Sequence, residues 1–168
     1  MKKEGPVEVV FDTSVIIGAI LESLGEEEGS SRDALNSIIK RHNHILRISK
    51  DINDECINHF HFDGLYSNMI LKILLGPLES ENKIRRISYR SEDINLKVSV
   101  PEHDRHVAEA AVAVKNLSLE KNALPKKKRK RKGLTVCLVT KNLRHFEPEE
   151  MRRNYDILVL TPGEYVDP

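Results

Sequence analysis

One carboxylate lies inside an otherwise apolar run near the start of the chain. Residues 9–18 read VVFDTSVIIG, and Asp12 is the ionisable residue among them. A carboxylate buried among apolar side chains costs free energy unless it is paired with a cation or binds a metal ion. Asp directly before a helix is also a favoured N-cap. The apolar surroundings of Asp12 favour a functional site over a cap.

Three further oxygen-bearing residues are predicted at one edge of a sheet. Glu55 lies on the helix after the second predicted strand, Asp104 in the first turn of the helix after the third, and Asn142 after the fourth. Sites in open α/β sheets form at the carboxyl ends of the strands. Three carboxylates meeting there would raise one another's pKa values, and a divalent cation resolves that conflict. Mg²⁺ or Mn²⁺ suits carboxylate ligands better than Zn²⁺ does.

Each of these three residues also has a structural explanation. Glu is common on solvated helix faces, and Asp51 and Asp54 could substitute for Glu55 as the acidic residue of that helix. Asp104 can complement the dipole of its helix. Asn142 suits a turn. The alignment of Asp104 with the apolar face of its helix favours a functional role there.

The elements that position these residues alternate between strand and helix. Strands are predicted at residues 7–11, 45–49, 96–100, 134–139 and 156–160. Helices are predicted at residues 13–24, 31–42, 50–60, 63–89 with a break at Gly76–Pro77, 101–114 and 147–153. This alternation indicates an α/β fold with a parallel sheet that is covered by helices on both faces.

The composition predicts one domain over residues 1–168, with a core of Ile, Leu, Val and Ala. No apolar run approaches the roughly 20 residues of a membrane helix. The N-terminal MKKEGPVEVV lacks the apolar segment of a signal peptide, so we expect a cytoplasmic protein. Cys56 and Cys137 lie outside any CxxC pattern, and we expect both to be buried thiols.

A run of seven basic residues dominates the charge distribution. Without it, 20 basic residues face 26 acidic ones, a net charge of −6. We interpret residues 117–133 as a polar insertion or loop that contacts RNA phosphates, because clustered cations bind polyanions through counterion release. A solvated mobile loop and a nuclear-import signal are the alternatives. The run consists of Lys126, Lys127, Lys128, Arg129, Lys130, Arg131 and Lys132.

The histidines raise the alternative of a zinc site. His103 and His106 have a spacing that would let them chelate a metal ion from one helix face. Neither an HExxH motif nor a cysteine partner supports them. We expect surface histidines, with His145 or His103 lining the cleft. The other two close pairs are His42 with His44 and His59 with His61.

Four segments resemble the characteristic segments of PIN-domain ribonucleases, a family that includes the toxins of bacterial and archaeal toxin–antitoxin pairs. They read VVFDTSVIIG, INDECINHF, VPEHDRHVAEAA and LVTKNLRHF, and they follow the family order. The resemblance implies a three-layer α/β/α sandwich with a central parallel sheet of four to five strands. It also implies an enzyme that uses one or two Mg²⁺ or Mn²⁺ ions to hydrolyse single-stranded RNA.

The resemblance also implies roles for individual residues. The fourth segment departs from the family form Thr-x-Asp-x-Asp-Phe, because Asn142 occupies the acidic position. Asn is a neutral oxygen donor, which holds a metal ion or its water more weakly. The implied metal-binding carboxylates are Asp12, Glu55 and Asp104, and the implied hydroxyl partners are Ser14 and Thr140.

Other functions remain open. A haloacid-dehalogenase phosphatase needs Asp-x-Asp, but position 14 is Ser, and no P-loop motif is present. A PIN-like protein that binds RNA without turnover, or acts as a scaffold, is the main alternative to the nuclease. Within the nuclease hypothesis, a toxin with an antitoxin-like partner and an RNA-processing enzyme both fit. The family resemblance suggests a homodimer, and residues 66–78 have spare apolar side chains for it.

Overall fold

The computed structural model describes residues 5–59, 64–123 and 134–168. Within these ranges, five strands form one parallel sheet: β1 Val7–Phe11, β2 His44–Ser49, β3 Ile84–Ile87, β4 Thr135–Val139 and β5 Ile157–Leu160. The strand order is β3-β2-β1-β4-β5, so β1 is central. The chain first builds the sheet outward from β1 through β2 to β3, and then returns to β4 on the other side of β1.

Helices cover both faces of the sheet. They are α1 Thr13–Leu24, α2 Ser31–Lys40, α3 Lys50–His59, α4 Gly64–Ser80, α5 Arg105–Ala123, α6 Pro148–Tyr155 and α7 Pro162–Val166. Right-handed crossovers place α1 to α4 on one face and α5 and α6 on the other. Helix α5 packs on β1 and β4, the two strands on either side of the point where the chain reverses. The predicted three-layer α/β/α fold with a central parallel sheet of four to five strands is confirmed.

The core lies on both faces of the central strands. Val9, Val10 and Phe11 of β1 are all buried, as expected for a parallel strand that is covered on both sides. In α5, Ala108 and Ala111 are fully buried. Their small side chains let the helix approach the sheet closely. The carboxyl ends of β1 and β4 are therefore held by packed elements on both faces.

The third strand is not where the pattern predicted it. Residues 96–100 form no strand, and β3 lies at Ile84–Ile87. The backbone of that predicted strand is bonded to side chains instead: Lys97 N–H donates to Tyr155 Oη at 2.5 Å, and Ser99 N–H to Glu147 Oε2 at 3.4 Å. Val98 is buried and its neighbour Lys97 is exposed, so the segment has the alternating burial of a strand. It does not pair with any strand of the described sheet.

For the helix predicted at residues 63–89, both the break and the end are wrong. Helix α4 continues through Pro77 to Ser80 without the predicted break, and it ends before β3 rather than at residue 89. Pro removes one helical hydrogen bond, and the burial of Leu75 and Leu78 on the sheet side opposes that cost.

The segment predicted as a loop at residues 117–133 is also only partly described. Residues 117–123 continue α5 rather than form a loop. The basic run, Lys126 to Lys132, lies outside the described residues. Among the helices that the structure describes, none combines the length and apolar character needed to cross a membrane.

Candidate functional site

Asp12 lies at the end of β1, where the order of the strands along the sheet reverses between β1 and β4. It directly follows β1, its side chain is 3% exposed, and its N–H donates to Val139 O at 2.9 Å. That bond extends the hydrogen bonding between β1 and β4. After β1 the chain continues to α1 on one face of the sheet, and after β4 it continues to α6 on the other face. Open α/β sheets bind ligands in the crevice that forms at such a switch point. The observed sheet thus places Asp12 at the edge where the sequence predicted a site, and we refer to the region between the ends of β1 and β4 as the crevice.

Two hydroxyl groups hold the Asp12 carboxylate. Ser14 Oγ and Thr140 Oγ1 each donate to Oδ2 at 2.7 Å. Asp12 occupies the N-cap position of α1, but its side chain makes no capping hydrogen bond. The cap explanation therefore does not account for the orientation of this carboxylate. Ser14 and Thr140, both predicted as site residues, are the side chains that orient it.

The electrostatics of Asp12 favour a cation in this crevice. Burial raises the pKa of Asp12, and the negative charge of Asp104 raises it further, while the hydroxyls of Thr140 and Ser14 lower it. Among the described residues, no lysine or arginine forms an ion pair with Asp12. The site therefore holds a buried carboxylate whose charge the described side chains leave without a cationic partner.

Asp104 is the second buried carboxylate of the crevice. It ends a short 3₁₀ helix, Glu102–Asp104, directly before α5, rather than lying inside the first turn of that helix. His145 Nδ1 and Asp104 Oδ2 share a hydrogen bond of 2.6 Å. His103 Nε2 lies 3.3 Å from the same oxygen. Two imidazoles thus converge on one carboxylate oxygen.

Glu55 lies at the side of the crevice. Its half-exposed carboxylate accepts a hydrogen bond from Thr13 Oγ1 at 2.5 Å. His106 Nε2 lies 2.8 Å from Glu55 Oε2, off the direction of a hydrogen bond. The neighbouring Asp54 pairs with Lys50 on the surface instead. Of the acidic residues of α3, Glu55 is therefore the one that contacts residues next to Asp12 and Asp104.

The three predicted carboxylates come to the same region without forming one ligand set. Asp12 and Asp104 are close enough for their charges to interact, and Glu55 reaches the crevice through Thr13. In the described part of the chain, their oxygen atoms do not all lie within 4.8 Å of one another. The group of potential ligands that does meet this distance is His103, Asp104 and His145.

The segment after β4 contributes differently from its prediction. Thr140 is fully buried, and its Oγ1 accepts the N–H of Asn142 at 2.9 Å. The Asn142 residue itself is exposed. It is His145, three residues further along, that reaches Asp104. Asn142 thus contributes a backbone N–H to the described geometry.

The expectation of surface histidines is wrong for His44. This residue is buried, and its Nδ1 shares a hydrogen bond of 2.6 Å with Tyr165 Oη. Burial lowers its pKa to about 4, so the ring is neutral at pH 7. His103 and His106 contact different carboxylates, Asp104 and Glu55, and do not form the chelating pair that the alternative of a zinc site would need. His61 lies outside the described residues.

The sequence identified the strand ends but not the pairing of Asp104 with His145. Only the expectation that His103 or His145 lines the cleft anticipated these imidazoles. The contact of Thr13 with Glu55 had no sequence signal, because the two residues lie 42 positions apart. Both free cysteines, Cys56 and Cys137, are buried as predicted.

Chemically, the crevice offers buried carboxylate oxygens, two orienting hydroxyls and two imidazoles that are open to solvent. Such a set can bind a divalent cation and leave a face free for a phosphate group. Comparisons of the chain with protein-family models, with curated proteins and with solved structures found no match.

Proposed function

We propose that the protein is a divalent-metal-dependent endoribonuclease that hydrolyses phosphodiester bonds of single-stranded RNA in the cytoplasm. One observation carries the proposal: Asp12 is buried at the switch point of the sheet, next to the charge of Asp104, and no lysine or arginine of the described residues pairs with it. The four segments that resemble PIN-domain ribonucleases supply the substrate class.

The donors in the crevice fit a hard divalent cation. Asp12 and Asp104 would hold Mg²⁺ or Mn²⁺, and Glu55 would bind from the α3 side, through water or after a small movement. When bound, the ion would polarise a phosphate group and lower the pKa of a water molecule. Ser14 and Thr140 occupy the Oδ2 atom of Asp12. These bonds fix the direction in which the rest of the carboxylate faces the crevice.

Cationic side chains near the crevice can position the RNA backbone. Lys141 follows Thr140, and its ammonium group pairs with Glu27 at 3.0 Å. Arg144 is exposed directly before His145. Phosphate contacts of this kind position a strand without reading its sequence. We place the basic run, Lys126 to Lys132, in the same role.

Cleavage of a labelled, unstructured RNA in the presence of Mn²⁺ tests the proposal. Asp12→Asn keeps the size of the side chain and removes its charge, so we expect the rate to fall at least about 100-fold, beyond the 10- to 100-fold cost of changing an outer-shell group. Asp167→Asn, at an exposed position near the end of the chain, is the matched control and should cleave at the wild-type rate. Cleavage that survives Asp12→Asn or EDTA would overturn the proposal.

An RNA-binding protein without turnover is the second candidate. The observation that favours it is the exposed Asn142 at a position where the resembling family has an acidic residue. On this hypothesis the protein binds RNA without added metal and leaves it intact. Gel-shift and cleavage assays on the same RNA distinguish the two candidates.

The biological role within the nuclease hypothesis depends on a partner. A toxin would have an antitoxin-like protein, which is often encoded by a short gene directly upstream. An RNA-processing nuclease would have no such neighbour. The genomic context of the chain separates these two roles.

A further inference from the structure

The structure assigns a nitrogen-containing metal site to His103, Asp104 and His145: we propose that these residues bind a transition-metal ion of the Zn²⁺, Co²⁺ or Mn²⁺ type. Their three ligand atoms all lie within 4.8 Å of one another. His145 Nδ1 lies 2.6 Å and His103 Nε2 3.3 Å from Asp104 Oδ2. The role of this ion as the cofactor of RNA cleavage rests on the proposed function, whereas the binding of the ion to these three residues does not.

The distances suit one shared ion. Metal–nitrogen and metal–oxygen bonds of about 2.0–2.2 Å require ligand atoms about 3.0–3.4 Å apart, depending on the coordination geometry. The separation of His103 from Asp104 already meets this requirement. The separation of His145 from Asp104 must widen by about half an ångström. The His145 side chain is 40% exposed, so such a movement disturbs little packing.

The donors select the kind of ion. Imidazole nitrogen suits Zn²⁺, Fe²⁺ and Co²⁺, and Mn²⁺ accepts it beside the carboxylate oxygen that it prefers, whereas Mg²⁺ prefers oxygen ligands and gives up its water reluctantly. Two histidines and one carboxylate also leave coordination positions open for water or a phosphate oxygen. A site of this composition next to Asp12 therefore favours a transition metal over Mg²⁺.

The backbone holds the ligands from two directions. Asp104 N–H donates to Pro101 O at 3.0 Å, which fixes the 3₁₀ turn that also carries His103. His145 N–H donates to Asn142 O at 3.0 Å. The next residue, Phe146, is fully buried and anchors the second turn in the core. Burial of the carboxylate and exposure of the imidazoles thus leave the site formed but accessible.

Titration of the metal-free protein with Co²⁺, in the absence of RNA, tests the site. We expect one Co²⁺ ion per chain, visible absorption bands from nitrogen coordination, and no displacement by a millimolar excess of Mg²⁺. His103→Ala and His145→Ala should each weaken Co²⁺ binding at least about tenfold. His42→Ala, at an exposed position on the opposite edge of the sheet near the start of β2, is the control and should bind as the wild type does.

The outcomes separate this inference from the proposed function. Co²⁺ binding that is lost in the histidine variants supports the site, whether or not the protein cleaves RNA. Mn²⁺-dependent cleavage combined with Co²⁺ binding that is insensitive to both histidine substitutions overturns this inference and leaves the nuclease standing. Absence of Co²⁺ binding overturns it as well. Circular dichroism of His103→Ala and His145→Ala, both changed at partly or largely exposed side chains, verifies that they are folded.

Discussion

At the scale of single residues, the charged form of Asp12 is a cost to the fold, because burial raises the pKa of this carboxyl. Its carboxylate is buried after the central strand, and Asp104 adds a second negative charge nearby. The hydroxyls of Ser14 and Thr140 offset part of that cost, because hydrogen bonds to the charged form favour ionisation. Residues that are arranged for function in this way often lower stability. A cation bound in the crevice would remove the conflict.

This conflict predicts an unusual effect of Asp12→Asn on stability. Because burial and Asp104 raise the pKa of Asp12 in the folded chain, ionisation favours the unfolded state. The destabilisation is absent below the ordinary pKa of an aspartate and is complete above the raised pKa of the folded state. In EDTA at pH 7, we expect Asp12→Asn to raise the free energy of unfolding by roughly 0.5–2 kcal/mol.

Urea denaturation at pH 7 and pH 4 measures this effect. The gain should shrink at pH 4, because the wild-type carboxyl then takes up its proton. Mn²⁺ should stabilise the wild type and not the variant, since a ligand stabilises only the state that binds it. Asp167→Asn should change neither quantity. A variant that is less stable than the wild type at pH 7 without metal would contradict this account of Asp12.

At the scale of elements, the local sequence pattern predicted those strands and helices whose conformation does not depend on distant contacts. The apolar run before Asp12 specifies β1, and the segment after it specifies α1, so the position of the carboxylate followed from the sequence. Strand β3 did not follow, because it is only four residues long and places Arg85 and Arg86 on an exposed edge. Such charges protect a sheet edge from pairing with another chain. They also interrupt the apolar pattern from which a strand is predicted.

In the site, too, some residues could be predicted from the local sequence, whereas others depend on contacts between distant parts of the chain. Positions at strand ends, such as those of Asp12 and Thr140, can be predicted because the sheet edge is implied by the alternation of elements. The pairing of His145 with Asp104 spans 41 positions and depends on how two 3₁₀ turns pack. No local pattern encodes that contact. Asn142, which the resemblance placed at the acidic position, is exposed, and His145 is the residue of this segment that contacts Asp104.

Helix α4 and the end of α1 provide a paired test of backbone conformation. Gly76 lies inside α4, and Gly25 ends α1 in the left-handed region with φ of 75°. Apart from the adjoining residues and the backbone of its own helix, a Cβ atom at either position would meet nothing within 4 Å. Gly76→Ala should therefore stabilise the protein, but by less than the roughly 1 kcal/mol that separates Ala from Gly inside a helix, because Pro77 crowds a Cβ atom on the residue before it.

Gly25→Ala should instead destabilise the protein by roughly 1–2 kcal/mol, because Ala is strained at positive φ. Both values are measured as free energies of unfolding in urea, and each variant is the control for the other. Changes of the same sign in the two variants would show that local packing, and not the backbone conformation, decides the outcome.

At the scale of the whole molecule, one surface is apolar and unlike the crevice. A groove of about 710 Å³ lies between α1, α2 and α4. Leu24, Met69 and Ile73 are exposed there, with Ile73 at 71%. Exposed apolar patches of this kind often mark protein interfaces. The groove includes part of the helix that the sequence suggested as a dimer surface.

We expect this groove to support the homodimer suggested by the family resemblance. Sedimentation at micromolar concentrations should give the mass of a dimer for the wild type and of a monomer for Ile73→Glu, because burying an unpaired carboxylate disfavours association. Leu117→Glu, at an exposed apolar residue of α5 on the other face of the sheet, is the control and should remain dimeric. A monomeric wild type would exclude the dimer.

The charge of the whole chain is divided between a mildly acidic body and one basic run. Single-stranded RNA loses its condensed counterions in proportion to the cations that contact it, with a slope of about 0.7 per charge in a plot of log affinity against log salt. Replacement of all seven basic residues from Lys126 to Lys132 by Gln should therefore weaken binding at low salt and reduce this slope by up to about 5.

Fluorescence anisotropy with a labelled RNA over a salt series measures both quantities. Replacement of Lys40, Lys72 and Arg85, which are exposed elsewhere on the molecule, by Gln is the control for a general loss of positive charge. If the run contacts RNA, the control lowers the slope little, while the seven-residue variant retains its Co²⁺ site and loses affinity. An unchanged slope in the seven-residue variant would place the RNA on another surface. Arg144, which is exposed directly before His145, would then be the described cation that guides the strand to Asp12.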